Sequence, residues 1–163
     1  AHPGAAEASR SGQRRLWLYP TRAIRRKNLG EFLLWAALAE PGDQFATTLG
    51  PNNPAERPVY ERWRELAGAL SLPVSFEVGA DPALRFEDIL SSAHAMVTTS
   101  IAEGFGMAFL EPWLVGRAVT GRNLTENTAE FTAAGVHLPH LYSRLEVPVE
   151  FFGRRILEQK AQQ

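Results

Sequence analysis

Two glutamates, Glu103 and Glu111, stand eight positions apart, and Gly104, Phe105 and Gly106 follow directly on the first. A carboxylate accepts hydrogen bonds from two neighbouring hydroxyls, as on a ribose or a hexose, and charge assistance makes each worth roughly 1.5–3 kcal/mol. Glu-Gly-Phe-Gly reads as a strand-to-helix turn in which Gly104 and Gly106 permit positive φ and a close approach of backbone to ligand. Such a turn leaves amide N–H groups free at a helix N-terminus, where an anion is the natural partner. Two carboxylates around an anion cradle outline diol, phosphate, diol: the profile of a nucleotide sugar, held without a metal. The plainer alternative is a generic strand–glycine–helix corner carrying two solvated glutamates.

A second group of chemically useful side chains lies early in the chain. Arg22, Arg25, Arg26 and Lys27 follow the first apolar run, with no acid among them. A solvated basic loop is the usual fate of such a run. Arginine and lysine there could also balance a diphosphate and the negative charge that develops as it leaves. The histidines suggest less. His94 precedes an apolar run and reads as a partly buried histidine, and His137 and His140 lack the cysteine or carboxylate neighbours of a metal site.

Glu103-Gly-Phe-Gly-Met-Ala-Phe-Leu-Glu111 resembles the E-x7-E signature of retaining glycosyltransferases with the GT-B fold, of the glycosyltransferase family 4-like type. That family also places an Arg after its first strand and a Lys five positions later, a spacing that Arg22 and Lys27 share. Thr21 stands where the family commonly has Gly, and Arg117-Ala118 where it has Lys-Pro. The resemblance covers roughly Leu16 to Thr120. It implies the C-terminal donor-binding domain of such an enzyme, with a catalytic group of Arg22, Lys27 and Glu103. Arg22 and Lys27 would hold the diphosphate. The backbone of Gly104, Phe105, Gly106, Met107 and Ala108 would line sugar and phosphate. Glu103 would take the sugar hydroxyls, Glu111 the ribose, and Val78 and Gly79 would border the base. The implied activity is hexosyl transfer from a nucleoside-diphosphate sugar, without metal or organic cofactor, the acceptor being bound by a separate N-terminal domain. A non-catalytic nucleotide-binding module and a nucleotide-sugar epimerase-like domain are the alternatives on the same fold.

These residues need a framework that brings an early loop beside a late one. Arg15–Tyr19, Asp43–Leu49, Val74–Val78, Ala95–Thr99 and Arg117–Gly121 read as short strands, apolar or β-branched. Between them lie helical patterns. Leu29, Phe32, Leu33, Ala36 and Ala37 mark the first, stopped by Pro41-Gly42, and Val59, Trp63, Leu66, Ala67 and Leu70 the second. Phe86 to Ala93 is a third, and a fourth is expected from Met107 to Val115, with Met107, Phe109, Leu110, Trp113 and Leu114 on a broad apolar face. Asn123 to Thr128 is a loop or cap leading into a helix through Phe131. Residues 138–147 read as loop, and Glu150–Gln163 as an amphipathic helix. Strands alternating with helices predict a Rossmann-like three-layer α/β/α fold around a mainly parallel sheet of five to six strands. Every candidate ligand residue then falls after a strand, at one edge of the sheet. No Gly-x-Gly-x-x-Gly follows the first strand, which argues against a dinucleotide site.

The 163 residues are enough for one well-packed domain, expected over 13–163, with 1–12 a linker or cloning remnant of small and polar residues. A net charge of −1 implies no general attraction to nucleic acid or anionic membrane. There is no cysteine, which excludes disulfides and fits a reducing, cytoplasmic setting. No apolar run approaches the length of a membrane span.

Overall fold

A computed structural model describes residues 14–146 and 148. The expected linker at 1–12 and helix Glu150–Gln163 lie outside the described residues. The sheet has six parallel strands: β1 (Arg15–Arg22), β2 (Asp43–Leu49), β3 (Val74–Ser75), β4 (Ala95–Thr98), β5 (Ala118–Arg122) and β6 (Leu141–Tyr142). Their order across the sheet is β3-β2-β1-β4-β5-β6. Connection reverses direction between β1 and β4, so their C-terminal ends flank the crevice where open α/β sheets take ligands. The fold is Rossmann-like, as expected. Helices α1 (Leu29–Ala37), α2 (Arg57–Ala69), α3 (Phe86–Ser92), α4 (Glu111–Leu114) and α5 (Thr125–Ala133) complete it.

Two apolar clusters hold the layers. Tyr19, Phe32, Leu33, Phe45, Tyr60 and Val97 belong to the cluster that includes α1 and α2. Leu18, Ala46, Ile89 and Ala93 form the other, beneath α3. α1 buries Leu29, Phe32, Leu33 and Ala36 as its periodicity predicts, but Glu31 is buried with them while Ala37 is exposed. Glu31 is tolerated there because Arg122 pairs with it and Tyr142 Oη donates to it at 2.6 Å. This network ties α1 to β5 and to β6, a strand in the segment expected to be loop.

Other elements depart from the expected pattern for local reasons. α2 turns Tyr60 and Ala67 inward, whereas Val59, Leu66 and Leu70 are 47%, 41% and 58% exposed. The tyrosine presents a large apolar body that outweighs the aliphatic stripe one position away. β3 ends at Ser75 instead of Val78: Glu77 adopts a left-handed conformation (φ 57°) and its carboxylate turns toward Arg57 and Arg64, leaving Val78–Ala80 as a 3-10 turn. His94 is exposed, not partly buried, and meets Trp17 edge-on at 5.3 Å.

At the opposite edge of the sheet, Arg15 grips Asp43 with Nε to Oδ1 at 2.6 Å and Nη2 to Oδ2 at 2.9 Å. Burial alone would raise the Asp43 pKa, but the hydrogen bonds from Arg15 outweigh it and hold the carboxyl below its ordinary range. A folded-state pKa below the unfolded value contributes stability that is complete above the unfolded value, about 3.9, and is lost as pH falls through the folded one. Denaturant titrations across the acid range should therefore show a loss of stability in the wild type that Asp43→Asn flattens. Parallel acid curves for the two proteins would remove the pair from the acid response.

Candidate functional site

β1 does not stop at Tyr19. It continues through Pro20 and Thr21 to Arg22, so Arg22 is a strand residue and the basic stretch is shorter than expected. Arg25–Lys27 then form a 3-10 turn that Asn28 closes in the left-handed region, φ 50° and ψ 60°. Two groups that follow β4 clamp this corner through three hydrogen bonds. Thr99 Oγ1 donates to the carbonyls of Lys27 (2.9 Å) and Asn28 (3.2 Å), and the Ile101 amide donates to the Arg26 carbonyl at 2.9 Å.

The clamp sets Lys27 against Glu103. Lys27 Nζ pairs with Glu103 Oε1 across 76 positions of sequence, and the two side chains are 11% and 9% exposed. Ser100 Oγ also donates to that oxygen, at 2.5 Å. A carboxylate here can only accept, so Ser100 spends its proton on Glu103 and takes one from Tyr19 Oη, 2.6 Å away. Burial pushes the Tyr19 phenol upward, keeping it a neutral donor. Tyr19, Ser100, Glu103 and Lys27 thus form one chain of charge and hydrogen bonds beneath the ligand edge. Tyr19 reads in the sequence only as a strand core residue, and nothing singles out Ser100. Its place three positions before Glu103 is the one signal that could have found it.

The remaining expected residues sit around this centre with differing freedom. Arg22 Nη1 donates to the Gly50 carbonyl at 3.0 Å and pairs with Asn52, which ties it to the loop after β2. Gly106 has positive φ (70°), and a Cβ there would lie 3.1 Å from that of Asn127 and 3.2 Å from the Phe131 ring. Gly104 does not have positive φ, contrary to expectation; its carbonyl instead accepts from Asn127 Nδ2 at 2.9 Å. Asn127 thus props the glycine loop and does not cap α5. Phe105 is 92% exposed. Val78 packs on the cluster of Leu18 and Ala46, and a Cβ on Gly79 would meet the Thr48 carbonyl at 3.0 Å.

The expected helix from Met107 to Val115 is broken. Met107–Phe109 is a 3-10 turn, Leu110 joins it to the next element with right-handed dihedrals (φ −110°, ψ −37°), and α4 restarts at Glu111. Pro112 is the cause: it offers no N–H, and in a helix begun at Met107 its ring would strike the Ala108 carbonyl. As the second residue of a new helix it fits. Phe109 is buried, while Met107, Trp113 and Leu114 of the expected apolar face are exposed. Glu111 is exposed at the start of α4. Among the described residues no three metal-ligating side chains gather, and no helix is long and apolar enough to cross a membrane.

A cavity of about 660 Å³ adjoins this centre, between the starts of α1 and α2. Arg25, Asn28, Val59, Trp63 and Ile101 line it, and none of the expected donor residues does.

No family model matches the chain. Over 95 residues it is 37% identical to mannosylglucosyl-3-phosphoglycerate synthase of Petrotoga mobilis, a match covering 58% of this chain and 18% of that protein. The chain thus spans less than a fifth of that relative. Among solved structures it is similar to Anabaena HepE in complex with UDP and glucose: TM-score 0.58, 15% identity, 76% of this chain and 33% of the other. The GtfA/B complex gives TM-score 0.55 and 15% identity over 93% of this chain and 30% of the other. These structures share the α/β fold with the chain.

Proposed function

We propose that the chain is the donor-binding domain of a GT-B glycosyltransferase of the family 4-like E-x7-E type, acting on a nucleoside-diphosphate sugar. The observation that carries this reading is the Lys27–Glu103 pair, which joins the corner after β1 to the corner after β4 at the ligand edge. Two further facts support it: HepE, which shares the fold, was crystallised with UDP and glucose, and the Petrotoga relative is named for a glycosylated product.

In this reading the diphosphate of an incoming donor draws Lys27 away from Glu103. The freed carboxylate, still held by Ser100, then accepts from hydroxyls of the donor sugar. Arg22 and the backbone from Gly104 to Ala108 add donors for phosphate and sugar, Glu111 takes the ribose hydroxyls, and the backbone of Val78 and Gly79 borders the base. Transfer breaks the bond from the anomeric carbon to diphosphate oxygen and forms one to the acceptor oxygen on the same face of the sugar. The acceptor's proton passes to the departing diphosphate. Cationic side chains and amide dipoles stabilise that leaving group, and no metal is required. A separate N-terminal domain binds the acceptor, so the isolated chain binds donor and transfers nothing.

Titrating UDP-, GDP- and ADP-sugars against wild type and Glu111→Ala tests the reading. Loss of charge-assisted bonds to two hydroxyls should weaken the preferred nucleotide by about tenfold or more. Equal affinity would take Glu111 out of the ribose role, and no binding of any nucleotide to the wild type would sink the proposal.

A further inference from the structure

The cavity beside the Lys27–Glu103 pair has a chemistry of its own. Its walls are largely apolar: Ala23, Ile24, Leu29, Val59, Trp63 and Ile101. Val59 and Ile101 are 47% and 55% exposed, so the cavity opens to solvent across uncovered aliphatic surface. Trp63 forms its floor because α1 carries Gly30 at the crossing; a Cβ there would lie 2.9 Å from the indole. Tyr60 also lines it, with a hydroxyl that is enclosed and unpartnered among the described residues. A volume of about 660 Å³ falls within the ordinary range for small-molecule sites.

Charge is placed at one side of this opening. Arg25 lines the cavity and Arg26 follows it; both are exposed, and neither forms an ion pair among the described residues. Glu56 is the single acid in the lining. The position is as telling as the composition. Arg25 lies two residues before Lys27, and Ile101 two residues before Glu103, so the cavity is built on the same two loops as the charged pair, although neither Lys27 nor Glu103 lines it.

We propose that this cavity binds an amphipathic anion, its apolar or aromatic body against Trp63, Val59 and Ile101 and its phosphate or carboxylate on Arg25. The site is separate from the donor site proposed above and does not depend on it.

The test uses 1-naphthyl phosphate as probe, with 1-naphthol and inorganic phosphate as its separate halves. Methyl NMR of the chain should show saturable shifts at Ile24, Val59 and Ile101 with the naphthyl phosphate, and binding of either half weaker by about tenfold. Arg25→Gln and Val59→Trp, both at exposed positions, should each weaken the probe to a similar degree. Saturating UDP should leave it bound. Unchanged affinity in Arg25→Gln, or shifts absent from those three methyls, would overturn the proposal. Competitive displacement by UDP would do the same, because the cavity would then belong to the nucleotide. A dimer that Val59→Trp abolishes, with no response to the probe, would assign the surface to a second copy. If nucleotides fail to bind while the probe behaves as stated, the donor reading falls and the cavity stands.

Discussion

Lys27→Ala should both destabilise the domain and abolish nucleotide-sugar binding. Removing one member of a buried ion pair typically costs about 3–5 kcal/mol, because the remaining charge is left without compensation. Here that charge is Glu103, whose side chain is 9% exposed and keeps only the Ser100 hydroxyl among its described partners. Urea denaturation of Lys27→Ala measures the first effect, and a second substitution separates it from the other. Glu103→Gln in the Lys27→Ala background removes the orphaned charge and should recover much of the stability. Nucleotide-sugar binding should stay lost, since neither the cation nor the carboxylate has been restored. A Lys27→Ala protein within about 1 kcal/mol of wild type would mean that the pair is solvated and that burial does not govern it. Recovery of binding in the double variant would remove both residues from the donor site.

Gly121→Ala, at the one glycine within the described strands, should be strongly destabilising. Its φ is +127°, and a Cβ there would lie 1.9 Å from the Thr98 carbonyl oxygen and 2.8 Å from its carbon. Both are backbone atoms of the neighbouring strand, so no side chain can rotate aside. Overpacking costs about 1–3 kcal/mol and an unfavourable φ about 1–2 more. A loss of about 3–5 kcal/mol in a denaturation experiment is the expected result. Because β4 must shift to relieve the contact, Thr99, Ser100 and Glu103 would move with it, and donor affinity should fall even where the domain still folds. Gly104→Ala is the control: nothing lies within 4 Å of its Cβ position and its φ is not positive, so a change within about 0.5 kcal/mol is expected. Comparable losses in the two variants would discredit the steric argument.

The parts of this architecture that could be read from the chain are those decided locally. Runs such as Trp17–Tyr19 and Ala95–Thr98 carry their own strand signal, and the strand–glycine corner at Glu103 is visible from composition alone. Lys27 is different. Beside three arginines it reads as one cation in a solvated loop, and its burial follows from a glutamate 76 positions away. Glu31 likewise reads as the polar face of α1 until Arg122 and Tyr142 arrive to satisfy it. The break after Met107 is legible in Pro112, although the apolar spacing from Met107 to Leu114 masks it. The face of α2 is not legible, because Tyr60 and Val59 lie side by side and packing chose the larger body.

The clamp on the Lys27 corner has a consequence for the order in which the domain assembles. A left-handed Asn28 and a buried ammonium are both unfavourable alone, and what holds them comes from Thr99, Ile101 and Glu103. Contacts so distant in the chain carry their loop-closure cost before they return any stabilisation. During synthesis, the first two strands can emerge and pair while this corner is still unmade. Lys27 reaches its buried position only when the fourth strand slots in beside the first, so this edge of the sheet is among the last features of the domain to mature.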